Sequence, residues 1–275
     1  MIYVLTFVFG LLIGSFLNVC IVRIPRDRSI VTPPSHCPRC RERIRFYDNI
    51  PLVSFLLLRG KCRNCGEPIS WRYPLVELLN AILYVSLVWE FWLGGETLLL
   101  MAFCSSLIVI TFIDFDFMII PDVISLPGIL LGVTIGPFFL SALNEPLSFH
   151  LGYLLPHAGP YLVRFLNSVV GMLCGALPLF LIGWGWQKFR HEEGMGGGDV
   201  KLMGMVGAFL GWKGAFLTIF LGSIVGSLVG ITLMMLKLHN KGQLIPFGPF
   251  LALGAVATAF YGPDIIGWYL GMMRI

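Results

Sequence analysis

An all-α polytopic membrane protein is the fold class this sequence predicts, and three observations predict it. Of its 275 residues 57% are hydrophobic and only 12% charged, where a soluble domain carries about a quarter charged residues. Mean hydropathy is +0.84. The apolar residues fall in runs near the roughly 20 residues that cross a bilayer as a helix, not in the short alternating segments of a β-barrel. The 32 glycines and 22 phenylalanines suit helices that pack closely in lipid.

Eight apolar stretches follow one another, at about 2–22, 74–93, 97–117, 119–140, 162–186, 200–212, 214–236 and 248–270. The first lacks the basic segment of a cleavable signal, so residues 1–22 read as a first transmembrane helix. The stretch 200–212 is short for a crossing and reads as a tilted or partly re-entrant helix among its neighbours. Three regions result: the helix 1–22, a polar loop at 23–73, and a multi-helix membrane domain at 74–275. The segment 141–161, with Pro146, Pro156, Pro160, His150 and His157, reads as a solvated connection. No internal repeat is evident.

Charge sets the orientation. Eleven of the nineteen Lys and Arg lie in 23–73, from Arg23 to Arg72. The positive-inside rule makes this loop cytoplasmic and the N-terminus periplasmic. Alternate threading then places sixteen cations inside, including Lys188, Arg190, Lys201, Lys237 and Lys241, and only Arg164, Lys213 and Arg274 outside. The pI near 8.7 is no sign of nucleic acid, because the positive charge is gathered in one loop.

That loop carries Cys37-Pro38-Arg39-Cys40 and Cys62-Arg63-Asn64-Cys65. Paired CxxC knuckles about twenty residues apart point to a structural zinc ion with Cys37, Cys40, Cys62 and Cys65 as ligands. A reducing cytosol disfavours disulfides. With four protein ligands no position is left for catalysis, and a loop with so small a core depends on its metal. His36 is a bystander in this reading. Cys20, Cys104 and Cys174 lie in apolar runs as core residues.

Two acidic stretches border apolar runs: Ile113-Asp114-Phe115-Asp116 leading to Ile120-Pro121-Asp122, and Gly194-Met195-Gly196-Gly197-Gly198-Asp199. Ionisable groups near lipid cost a few kcal/mol or more, at least about 2.5, and mark function. Threading puts both stretches on the cytoplasmic side. One carboxylate acting as base on a water while the other, protonated, polarises a carbonyl is aspartyl protease chemistry. Asp114 and Asp116 lie about 200° apart on a continuing helix, so only one can meet Asp199. Three other readings stand beside the protease: helix capping by Asp199 or Asp122, a phosphate-cradling glycine turn, and a proton- or metal-coupled transporter using the same aspartates. A membrane scaffold that uses the zinc loop to hold a secretion partner is a further alternative.

The ordered set of motifs resembles the bacterial type IV prepilin peptidases, aspartic peptidases of the GxGD type. Its pieces are Gly14-Ser15-Phe16-Leu17-Asn18-Val19 with Arg23-Ile24-Pro25, the CxxC pair, Arg72-Tyr73-Pro74-Leu75-Val76-Glu77, the two acidic stretches, and Pro246-Phe247-Gly248-Pro249-Phe250. The segment 141–161 looks longer than is usual in that family. The resemblance implies that Asp114 and Asp199 are the catalytic acids. Asp116 and Asp122 are then supporting neighbours, and Gly196 and Gly198 give the loop before Asp199 its room. Glu77 reads as a partner for an Arg or Lys of the loop, or else as a residue of the substrate groove. The implied activity is cleavage of a basic leader from prepilins or pseudopilins, substrates with an N-terminal hydrophobic helix, at the cytoplasmic face of the inner membrane. N-methylation from S-adenosylmethionine follows by resemblance alone, with no residues assigned to the methyl donor.

Overall fold

In the computed structural model, the structure describes residues 1–140, 159–190, 196–236 and 245–273. Most of the 141–161 connection with His150 and His157, the Gly194-Met195 pair, and Lys237, Lys241 and Arg274 lie outside the described residues. The described residues are helical: α1 (Ile2–Arg23), α2 (Val53–Leu57), α3 (Arg72–Phe91), α4 (Gly95–Phe117), α5 (Asp122–Thr134), α6 (Gly136–Phe139), α7 (Pro160–Arg190), α8 (Gly197–Met235) and α9 (Gly248–Met273). Short 3₁₀ turns form at Ile24–Arg26 and Phe46–Asn49. No strand forms among the described residues beyond two isolated bridges in the cysteine loop.

Among the described residues six helices are long and apolar enough to cross a membrane. Eight crossings are expected from hydropathy, and the two numbers part at α5 and α8. α5 has 13 residues because the chain into it turns at Ile120-Pro121, and Gly136-Pro137 closes it into the one-turn α6. α8 has 39 residues, interrupted by Gly211 at φ 70°, ψ 180°, a backbone conformation open to glycine alone. The interruption is a reversal. A Cβ on Gly175 of α7 would meet both the Met203 carbonyl and, at 3.5 Å, Ala215 Cβ. A straight helix would hold those two residues about 18 Å apart. The two arms of α8, 197–210 and 212–235, therefore lie side by side against α7.

Contacts divide the chain into two compact units, Met1–Ile113 and Asp114–Ile275. In the first, α1 and α3 run antiparallel with their backbones almost touching. A Cβ on Gly10 would come 2.6 Å from Ala81 Cα, and one on Gly14 2.6 Å from Glu77 Cα. Polar side chains seal this seam, as lipid-embedded interfaces require. Asn18 Nδ2 donates to Tyr73 O (3.0 Å), Asn80 Nδ2 to Gly10 O (2.8 Å), and Ser105 Oγ to Asn80 Oδ1 (2.9 Å). Tyr84 and Ser105 share a further bond of 2.9 Å.

In the second unit the first arm of α8 is its most buried segment, Leu202–Gly211. Gly171 and Gly207 bring α7 and α8 into direct backbone contact, Gly132 admits α5 against Ala208, and Gly254 seats α9 on the Thr218 carbonyl. Thr218 and Thr258 close that last seam with a hydrogen bond of 3.2 Å. These contacts bring the end of α4 and the starts of α5, α8 and α9 to one end of the unit.

Candidate active site and metal centre

Asp114 lies in the last turns of α4 and is 5% exposed. Its Oδ2 accepts the backbone N–H of Gly248 at 3.1 Å. Gly248 opens α9, so this N–H is one of the donors a helix start leaves without an internal partner, at the positive end of the helix dipole. A Cβ at Gly248 would sit 2.6 Å from the same carboxylate oxygen, so the contact depends on glycine.

Asp199 lies in the first turn of α8, half-buried. Its N–H donates to Gly196 O (3.1 Å), and a Cβ on Gly196 would stand 3.8 Å from its Oδ2. No side chain caps this helix, so Asp199 is free of the capping role. It stands close enough to Asp114 for the two carboxylates to act on each other electrostatically. Ile120 lies between the converging segments. A Cβ on Gly198 would meet Ile120 Cβ at 2.8 Å, and one on Gly248 would meet Ile120 Cδ1 at 3.3 Å. The structure thus brings together Asp114, Asp199, Gly196, Gly198 and the start of α9.

The other acids separate from this pair. Asp116 is exposed where Asp114 is buried, as the helical angle between them requires. Asp122 also caps nothing. It is paired with Lys201, whose Nζ lies 2.6 and 2.8 Å from its two oxygens, and ties the start of α5 to α8. Glu77 belongs to the first unit and is 7% exposed. The loop cation expected beside it is replaced by neutral donors: its Oε2 accepts the Leu52 N–H at 2.9 Å, and Ser15 bonds its carboxylate. A carboxylate at this depth is solvated more cheaply by fixed dipoles than by importing an arginine into the seam.

The four cysteine sulfurs of the loop lie within 4.8 Å of one another, and His36 is not among them. Cys37 and Cys65 Sγ are 3.8 Å apart, and all seven cysteines are free thiols. A zinc tetrahedron with bonds of about 2.3 Å has sulfur–sulfur edges of about 3.8 Å, so the group fits a four-coordinate ion. The two knuckles are copies of one turn. Cys37 N–H donates to Glu42 O and Cys62 N–H to Glu67 O; Ile44 N–H donates to Ser35 O and Ile69 N–H to Gly60 O. Arg41 and Gly66 take the matching left-handed position. Backbone amides of Cys65 and Asn64 pull the Cys62 thiol down to about 7, toward the thiolate that metals bind. Arg39–Glu67 (2.9 Å) links the knuckles, and Arg63 grips Asp48 through two nitrogens, holding that carboxyl below its usual range.

Sequence reading did not find Gly248 as the partner of Asp114, although Pro246-Phe247-Gly248-Pro249-Phe250 marks the place. It also missed the repeat, which is visible as Cys-x-x-Cys-x-Glu-x-Ile at both 37–44 and 62–69.

Fold and site together define a polytopic helical membrane protein with two neighbouring carboxylates in the second unit and a four-thiol group in the first. Residues 8–91 match the Bacterial Peptidase A24 N-terminal domain and residues 101–231 the Type IV leader peptidase family. Similar proteins named prepilin leader peptidase/N-methyltransferase occur in Aeromonas hydrophila (37% identical over 97% of this chain and 93% of the relative) and Pseudomonas aeruginosa (36%; 96% and 92%). Another, in Myxococcus xanthus, is 39% identical over 87% of this chain and 65% of its own. The chain belongs to the type IV leader peptidase family. No solved structure matches it. Membership in a peptidase family leaves the transporter reading without support.

Proposed function

We propose that Asp114 and Asp199 are the catalytic pair of a membrane endopeptidase that removes the leader from prepilins or pseudopilins. The observation that carries this reading is the pair itself, with one oxygen of Asp114 held by the Gly248 N–H and Asp199 presented by a glycine turn. Like-charged carboxylates at close range favour holding one proton between them. The ionised member takes a proton from a water as that water attacks the scissile carbonyl carbon. The protonated member donates its hydrogen to the carbonyl oxygen. Collapse of the tetrahedral species breaks the C–N bond as the leaving amine takes a proton, and no covalent enzyme intermediate forms. The Gly248 N–H holds the Asp114 carboxylate through Oδ2 and fixes its orientation, leaving lone pairs for the water. Asp116 and Asp122 support the site from outside it, Asp122 by fixing α8 through Lys201.

The charge distribution favours an inner-membrane protein with loop 23–73 and the aspartates facing the cytoplasm. A prepilin presents its cleavage site at that boundary, just before its hydrophobic helix. Cys37, Cys40, Cys62 and Cys65 would hold a zinc ion, which supplies the loop with a fold and no chemistry. N-methylation of the new N-terminus from S-adenosylmethionine rests on the relatives' name, and no described residues are assigned to the methyl donor. Cleaved pilin incubated with labelled S-adenosylmethionine should take up label; its failure to do so would remove the second activity. For the first, loss of prepilin cleavage in Asp114→Asn and Asp199→Asn, with membrane insertion intact, is the expected result, and near-normal cleavage by either variant contradicts it.

A further inference from the structure

The segment 46–57 of the cysteine loop returns to the membrane. Its anchor is the hydrogen bond from Leu52 N–H to Glu77 Oε2, 2.9 Å. Leu52 takes a left-handed backbone (φ 57°) at this contact, a conformation unfavourable for leucine. Two helices measure the depth of the anchor. α3 has 20 residues, about 30 Å, which just matches the hydrocarbon thickness, so Glu77 lies about 8 Å inside its start at Arg72. Ser15, which also bonds Glu77, lies about 12 Å inside the end of α1 at Arg23. The chain therefore leaves α1, builds the first knuckle outside, and dips to Glu77. It emerges through α2 to the second knuckle before entering α3.

What the dipping segment presents is apolar. Phe46 is 87% exposed, Leu56 71% and Leu57 78%, with Ile50 and Val53 exposed beside them. Its inner side is fixed: Ser54 Oγ donates to Tyr47 O (2.8 Å) and accepts from Ile50 N–H (3.1 Å), and Phe55 packs edge-on to Trp71 at 4.8 Å. The outer face is flanked by the exposed cation Arg59, two residues beyond Leu57 and within reach of anionic headgroups.

We infer that residues 46–57 form a re-entrant strap whose Phe46, Leu56 and Leu57 face is buried among lipid acyl chains at the bilayer boundary. The depth set by Glu77 and the flanking Arg59 single out lipid as the occupant; a soluble loop would not expose this face to water. A typical interfacial helix seats its apolar face about 5–10 Å below the headgroups; the anchor at Glu77, about 8 Å inside the start of α3, falls in that range, and the count along α1 puts it slightly deeper. The strap thereby moors the knuckles to the membrane surface, independently of catalysis.

The test uses the full-length protein in proteoliposomes containing anionic phospholipid. A photocrosslinking p-benzoylphenylalanine replaces Leu57, and separately Phe46. Leu12 on the outer face of α1 serves as the lipid-facing control, and Arg39 on the knuckle as the water-facing one. The expected result is a phospholipid mass added at positions 57 and 46, in yield within about twofold of position 12, and none at position 39. If the Leu57 variant fails to insert, position 46 decides alone. No lipid adduct at the strap, or attachment instead to another part of this chain, a second copy or an added prepilin, overturns the inference.

Discussion

At Gly248 one methyl group meets the proposed chemistry directly. A Cβ there would lie 2.6 Å from Asp114 Oδ2 and displace the carboxylate from the N–H that holds it. Gly248→Ala should lower the rate of prepilin cleavage at least about tenfold, the scale of losing one charge-assisted hydrogen bond worth about 1.5–3 kcal/mol. The thermal stability of the variant should stay close to that of wild type; an unchanged cleavage rate would detach Gly248 from catalysis. Asp116→Asn should cost less than about threefold, since that residue is exposed and lies about 200° around the helix from the buried Asp114. Of these positions the aspartates were legible in the sequence because charge beside a long apolar run is costly. The choice of Asp114 over Asp116 came from resemblance. Gly248 was hidden because a backbone donor has no side-chain signature. Its role depends on where α9 begins relative to the end of α4, a tertiary fact.

Helix against helix, the second unit depends on glycines that leave no space for a side chain. Gly207 faces the Gly171 carbonyl so closely that Gly207→Val must separate α7 from the first arm of α8. Overpacking of this kind costs about 1–3 kcal/mol, to be read as a lowered midpoint of thermal or detergent denaturation. Gly185, which has nothing within 4 Å, should accept alanine with no measurable loss. Hydropathy marked the break in α8 near Lys213, but the reversal falls at Gly211, where backbone conformation, not polarity, decides it. The length of α5 was overestimated for a related reason. The apolar run begins at Ile119, yet Pro121 delays the helix until Asp122. The α1–α3 seam was legible only as motifs: Gly14, Ser15 and Asn18, like Tyr73 and Glu77, belong to the family pattern, while their pairing across the seam emerges from the fold.

For the whole molecule, the cysteine loop and the membrane helices make separable demands. One zinc per chain should be found by elemental analysis of the purified protein, and Cys62→Ser should lower that content at least about tenfold, as removal of a thiolate from a closed tetrahedral site does. Chelation should expose thiols to a labelling reagent and raise proteolysis within 27–71 while leaving the helices of the second unit protected. Metal content unaffected by Cys62→Ser would contradict a four-thiolate site. The membrane class and the knuckles were legible because they rest on composition and short spacing; the acidic stretches were legible only as charge beside apolar runs, and their pairing is proposed. The knuckle repeat is visible too, in Cys-x-x-Cys-x-Glu-x-Ile, once the residues between and after the cysteines are aligned. The central claim concerns the acids, and cleavage of a purified prepilin by the reconstituted protein tests it most directly. Asp114→Asn and Asp199→Asn, each folded and inserted, should cleave at least about 10²-fold more slowly than wild type, the lower bound for losing a general acid or base. Cleavage by either variant at a rate near that of wild type would mean that the pair is not the active site.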